Sequence, residues 1–166
     1  MGRRNPAGIQ EKETSRAQKK RPPPMRLVID ANILFTYFWP GSALQQLLAR
    51  EIHIYSPSFA IQEIKKHKKD IIQRTRNTDK TFQKLIKEMK LQIEFIPYSD
   101  YELFMAQVYA FIQHFPPPEQ DKFLKDADYL ALALRQRCSL FWTNDFFLKK
   151  QKGVEIITTQ DILEAL

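Results

Sequence analysis

The sequence predicts a three-layer α/β/α sandwich around a central, mainly parallel sheet. Three observations point there. Short apolar runs alternate with longer stretches of helical spacing, the order that pairs strands in parallel through crossover helices. The run Leu27-Val28-Ile29 shows no polar alternation, which suits a strand covered on both faces. At 166 residues, with 43% hydrophobic residues and twelve Phe, the chain is long enough for one domain with a substantial core.

Residues 1–24 hold few apolar side chains and close on three prolines, so they are expected to form a disordered basic arm. The domain is expected over 25–166. "RLVID" reads as its first strand, followed by helices over 31–38 and 42–50 that break at Pro40-Gly41. "IHIY" (52–55) is a short strand. "SPSFAIQEIKKHKKDII" reads as a helix with Ser56 as N-cap and Pro57 in the first turn. A second basic helix covers 78–90, and "LQIEFI" (91–96) is a strand. Ser99 and Asp100 open a helix to 114, and "FPPPEQD" (115–121) reads as a rigid loop. The helix "KDADYLALALRQR", the strand "SLFWT", a helical turn over 145–151, the strand "VEII" and a helix over 159–165 complete the chain.

The net charge of +7 is unevenly spread: +5 on residues 1–24, +7 on residues 65–90 and −5 on the rest. Such asymmetry suits a polyanionic partner, with RNA contacts expected at Lys65, Lys66, Lys68, Lys69, Arg74 and Arg76; a solvated surface is the plainer alternative. No apolar run approaches the roughly 20 residues of a membrane span. The lone Cys138 excludes an internal disulfide and, with the charged N-terminus, leads to an expectation of a cytoplasmic protein. Cys138 is expected to pack as a small apolar residue at a helix end.

Asp30 ends the most strand-like triplet of the chain, and "SLFWTND" repeats the pattern with Asp145. On a parallel sheet both carboxylates would reach the same edge, where ligands bind in folds of this class. Asp126 opens the helix before the second of these strands, and Glu63 lies about two turns into the helix after "IHIY". Taken singly, each acid also fits a helix cap or a surface position. Gathered together, each like-charged pair at about 4 Å would cost on the order of 4 kcal/mol at an effective dielectric near 20. Protons or cations must offset that cost. Oxygen ligands without a Cys/His set favour Mg²⁺ or Mn²⁺, and hard ions held by carboxylates suit phosphodiester cleavage.

From Arg26 onward these motifs resemble the PIN domain, a nuclease fold found in VapC-type toxins and RNA-processing factors. "VIDANIL" resembles its first motif with Asp30, "SPSFAIQEIKKH" the second with Glu63, "DADYLALAL" the third and "WTNDFFL" the fourth with Asp145. The resemblance implies a Mg²⁺- or Mn²⁺-dependent endoribonuclease. Asp30, Asp126 and Asp145 would serve as metal ligands, Glu63 would act on the attacking water, and Asn32 and Thr143 would orient the acids. Asp128, where many relatives carry an apolar residue or proline, departs from the pattern; two helical positions from Asp126 it points elsewhere, and is expected to be solvated or to lie beside the metal rather than on it. The expected partners are RNA, an antitoxin protein if the chain is a toxin, and a second copy in a homodimer. A PIN-like RNA-binding or scaffold protein without turnover is the alternative.

Other readings fail. The phosphatase pattern D-x-D-x-T requires Asp where Asn32 stands, and the four glycines form neither a P-loop nor a dinucleotide fingerprint. His53, His67 and His114 lack metal-ligand spacing. Phe35, Tyr37, Phe38 and Trp39 are expected in the core or at a subunit contact.

Overall fold

The central strand β1 (Met25–Ile29) lies between β2 (Ile52–Pro57) and β4 (Leu140–Trp142), with β3 (Glu94–Ile96) outside β2 and β5 (Glu155–Ile157) outside β4. All four pairings are parallel. The computed structural model describes residues 25–137 and 140–166; the arm expected over 1–24, and Cys138, lie outside them. The chain builds outward from β1 through β2 to β3, then returns to the other side of β1 for β4 and β5. That reversal opens a crevice at the carboxyl ends of β1 and β4, where neighbouring connections leave in opposite directions. Ile29 pairs with Trp142, so the next residues, Asp30 and Thr143, leave the sheet side by side.

Helices cover both faces. On one, Leu27 and Ile29 pack with Ile33 and Leu34 of α1 (Ala31–Phe35), Leu44 and Leu47 of α2 (Ala43–Leu48) and Ile64 of α3 (Phe59–Lys66). Ile71 of α4 (Lys68–Thr75) and Phe82 and Ile86 of α5 (Asp79–Gln92) close that layer. On the other, Val28 and Phe141 meet Tyr101 of α6 (Tyr98–Tyr101) and Val108 and Ile112 of α7 (Met105–Ile112). Phe123 of α8 (Pro117–Leu124) and Leu130 and Ala131 of α9 (Ala127–Arg135) complete this second layer. The last helix, α10 (Thr159–Ala165), begins at a reciprocal capping box between Thr158 and Asp161 and adds Ile162 to the first layer. Leu27, Val28 and Ile29 are all fully buried, each worth about 1.5–3 kcal/mol by area. That burial explains the unbroken apolar run.

Several local expectations need correction. Ser56 and Pro57 end strand β2, paired with Phe95 and Ile96, rather than opening a helix. The Ser56 hydroxyl is wholly buried and donates to the Ile29 carbonyl at 2.9 Å, tying β2 to the end of β1. The helix then starts at Phe59 and is interrupted at His67. Residues 115–121 are not a loop throughout. Pro117 and Pro118 occupy the first turn of α8, where a missing N–H costs no hydrogen bond. Leu91 and Gln92 close α5 instead of opening β3. Tyr37 and Phe38 are core residues, Phe38 stacked on Phe82 at 5.1 Å, whereas Trp39 stays partly exposed. Among the described residues, no helix is long and apolar enough to cross a membrane.

Candidate active site

The carboxyl edge of the sheet gathers three of the four expected acids. Asp30 follows β1 directly and caps α1: its Oδ1 accepts from the Ile33 amide at 2.9 Å. Its Oδ2 accepts from the Thr143 hydroxyl at 2.7 Å. The oxygen of that hydroxyl accepts from the Asp145 amide at 3.1 Å, so Thr143 links the two strand-terminal aspartates. Asp145 in turn caps the 3₁₀ turn Phe146–Lys150, its Oδ1 accepting from the Phe147 amide at 3.1 Å. Cap and cluster member are therefore one role for Asp30 and Asp145, not alternatives.

Burial is the largest influence on the Asp30 carboxyl and raises its pKa. The Thr143 hydroxyl and the Ile33 and Asn32 amides oppose that rise, and the Asp145 charge adds to it. Asp126, the residue preceding α9, is pushed up to about 6, first by burial and then by the charges of Asp30 and Asp145, with Lys125 opposing. All three acids therefore sit within electrostatic range of one another. Glu63, on α3, is partly exposed, with its Oε1 3.1 Å from the Lys66 ammonium, and its charge reaches the Tyr129 phenol as those of Asp30 and Asp126 do. Asp128 turns elsewhere and accepts from the Tyr101 hydroxyl at 2.7 Å. Asn32 is exposed in the first turn of α1, contributing its backbone amide to Asp30.

Tyr129 escaped the sequence reading. It sits on the apolar stripe of α9, stacked on Phe141 at 5.5 Å, which is why it reads as core. Its phenol nonetheless feels the acids. Its pKa is raised by burial first, then by Asp30, with the Ala31 backbone opposing and Asp126 and Glu63 adding. Only its place three residues after Asp126 hinted at the site.

The donor chemistry suits a hard divalent ion: among the described residues, the site offers three carboxylates and neither sulfur nor imidazole. As placed, though, no group of three such side chains among the described residues could hold an ion. Charge coupling reaches well beyond the roughly 2.1 Å of a magnesium–oxygen bond, so the two facts agree. The lone pairs left free on Asp30 and Asp145, and those of Asp126, would have to draw inward around a cation.

The basic residues expected to hold RNA lie along α3 and α4 and just beyond. Lys65, Lys66, Lys69, Arg74 and Arg76 are exposed, and Lys68 pairs with Asp79. Two further lysines, Lys125 and Lys149, lie on the segments that carry Asp126 and Asp145 and were not singled out from sequence; Lys149 pairs with Asp161. Lys125 adjoins Asp126, and Lys149 lies on the turn that Asp145 caps.

The profile of the PIN domain family matches residues 28–166. The fold is similar to VapBC2 from Rickettsia felis, solved bound to a DNA fragment from its promoter, with a TM-score of 0.54 and 12% identity over 81% of this chain and 98% of that one. It is also similar to DNA-bound VapBC from Salmonella typhimurium, with a TM-score of 0.50 and 14% identity over the same shares. No curated protein matches the chain significantly.

Proposed function

This chain belongs to the PIN domain family, and from that membership we propose that it is a divalent-metal-dependent endoribonuclease. The observation that carries the reading is the Thr143 bridge. One buried hydroxyl ties Asp30 to the turn bearing Asp145 at the switch point of a parallel sheet, with Asp126 coupled to both. A fold that keeps mutually repelling carboxylates at its ligand-binding edge needs protons or a cation to offset them, and the hard oxygen donors suit the cation. Asp30, Asp126 and Asp145 would hold Mg²⁺ or Mn²⁺, directly or through water, and Glu63 would orient or deprotonate the attacking water. The chemistry such an ion supplies when bound is water activation at neutral pH and stabilisation of charge on the leaving oxygen. The basic face of α3 and α4 would hold the phosphate backbone.

The solved neighbours are toxin–antitoxin complexes, which supports a toxin role with a bound antitoxin. Cutting of a fluorescent RNA in Mn²⁺, its suppression by EDTA and its loss in Asp145→Asn test the activity. Metal-independent binding of RNA without cleavage would favour an inactive RNA-binding protein instead.

A further inference from the structure

Two aromatic rings on the segments beside the acids are only partly taken up by the core. Phe59, the first residue of α3, is 40% exposed, and Phe146, the residue after Asp145, is 66% exposed. Their positions follow from the sheet. Phe59 comes two residues after the end of β2, and Phe146 four residues after the end of β4, and these strands flank β1. With neighbouring strands about 4.8 Å apart, the two segments rise on opposite sides of Asp30 from strands roughly 10 Å apart.

Neither ring is on a loose segment. The turn under Phe146 is pinned by the Asp145 cap, by the buried Leu148 and by Phe147, whose ring lies 4.5 Å from that of Phe123. Phe59 meets Tyr129 edge-on at 5.6 Å. One cation accompanies Phe146: the Lys149 ammonium is 5.7 Å from its ring and 3.8 Å from the Asp161 carboxylate, an exposed pair that a phosphate can exchange into. Exposed rings on rigid supports, flanking acids and in one case beside a cation, match the composition of a surface that stacks unpaired bases while tracking their phosphates.

We propose that Phe59 and Phe146 are stacking platforms for the nucleobases on either side of the cleaved phosphate, with Lys149 against the backbone beside Phe146. The proposal rests on the nuclease reading above and names the residues that position its substrate. A duplex keeps both faces of its internal bases occupied, so the platforms favour strands with unpaired nucleotides at the cut.

The test uses the full chain in EDTA, so that binding is read without turnover. The probe is a single-stranded RNA carrying 2-aminopurine at its centre, beside the same strand with an abasic centre. Wild type should bind the intact strand about tenfold tighter than the abasic one and change the 2-aminopurine emission on binding. Phe146→Ala, Phe146→Leu and Phe59→Ala should each weaken intact-strand binding about tenfold and shrink the preference, whereas Phe146→Trp should preserve both. Phe146→Leu keeps the apolar bulk, and an unchanged melting temperature in that variant separates stacking from folding. Equal affinity in all three weakened variants, with Mn²⁺-dependent cutting by wild type intact, overturns the platforms and leaves the nuclease standing. RNA neither bound nor cut by wild type removes the nuclease reading, and the platforms with it.

Discussion

Thr143 donates its hydroxyl to Asp30 Oδ2 at 2.7 Å, and both side chains are buried. Thr143→Val keeps the shape and removes the donor, leaving an Asp30 oxygen and the Asp145 amide without that partner. The expected loss is about 1–3 kcal/mol in urea denaturation at neutral pH, with Thr143→Ser recovering most of it. The hydroxyl also lowers the Asp30 pKa, so the valine variant should titrate that carboxyl still higher.

Removing charge should separate activity from stability. Asp145→Asn keeps an oxygen for the Phe147 amide and relieves repulsion, so melting in EDTA should be unchanged or higher while cleavage disappears. Asp30→Asn behaves differently, because both Asp30 oxygens accept hydrogen bonds and an amide has only one oxygen. It should also lose cleavage, with a cost of about 1 kcal/mol. A fall of several degrees in Asp145→Asn would assign that acid a structural role alone.

The raised Asp126 pKa fixes the sign of a pH effect in the metal-free protein. Its folded pKa of about 6 lies above the ordinary value of 3.8, so between them the folded state binds more protons than the unfolded. This carboxyl therefore lowers stability as pH rises through that window, and its full penalty is present above pH 6. In EDTA, its contribution to melting should grow as pH falls from 7 to 4.5. Asp126→Asn should flatten that trend; an identical pH profile in the variant would refute the assignment.

The strand-terminal acids were legible because parallel-sheet geometry converts a sequence pattern into a place: Asp30 and Asp145 follow apolar runs, and the run explains the edge. The Thr143 bridge follows from the Ile29–Trp142 register, which no single motif encodes. Ser56 read as a cap because Ser-Pro before a helix has that chemistry, yet it is spent on the Ile29 carbonyl. Pro117 and Pro118 read as loop because prolines break helices, although they tolerate a first turn. Tyr129 and Phe146 were hidden for opposite reasons, one sitting in an apolar stripe and the other in an aromatic pair whose exposed and half-buried members look alike.

Asp126 and Asp128 offer a discriminating pair. Asp126 is coupled to Asp30 and Asp145, while Asp128 accepts from Tyr101 at 2.7 Å. Asp126→Asn should remove Mn²⁺-dependent cleavage, and Asp128→Asn should leave most of it. Asp128→Ala should instead cost about 1–2 kcal/mol, because the largely buried Tyr101 hydroxyl loses its acceptor. The reverse activity pattern would exchange their roles.

The basic face makes a quantitative demand on salt. Neutralising Lys65, Lys66, Lys69 and Arg74 should flatten the logarithmic dependence of RNA affinity on salt by roughly 0.7 for each lost contact with a single strand. An unchanged slope returns these residues to the solvent and leaves Lys125 and Lys149 as the cations that meet phosphate.

The bond between Thr143 and Asp30 spans 113 residues of chain, and that separation governs when the acids can first meet. During synthesis Asp30 emerges early, with β1 able to pair only with β2. The turn bearing Asp145 follows after α9 and β4, and its docking beside β1 is a late, long-range step paid in loop-closure entropy. A chain that ends before β4 therefore lacks Asp145 and the Thr143 bridge, and one that ends with α8 lacks Asp126 as well. The order of translation delays assembly of the carboxylate site until β4 and the turn after it have been made.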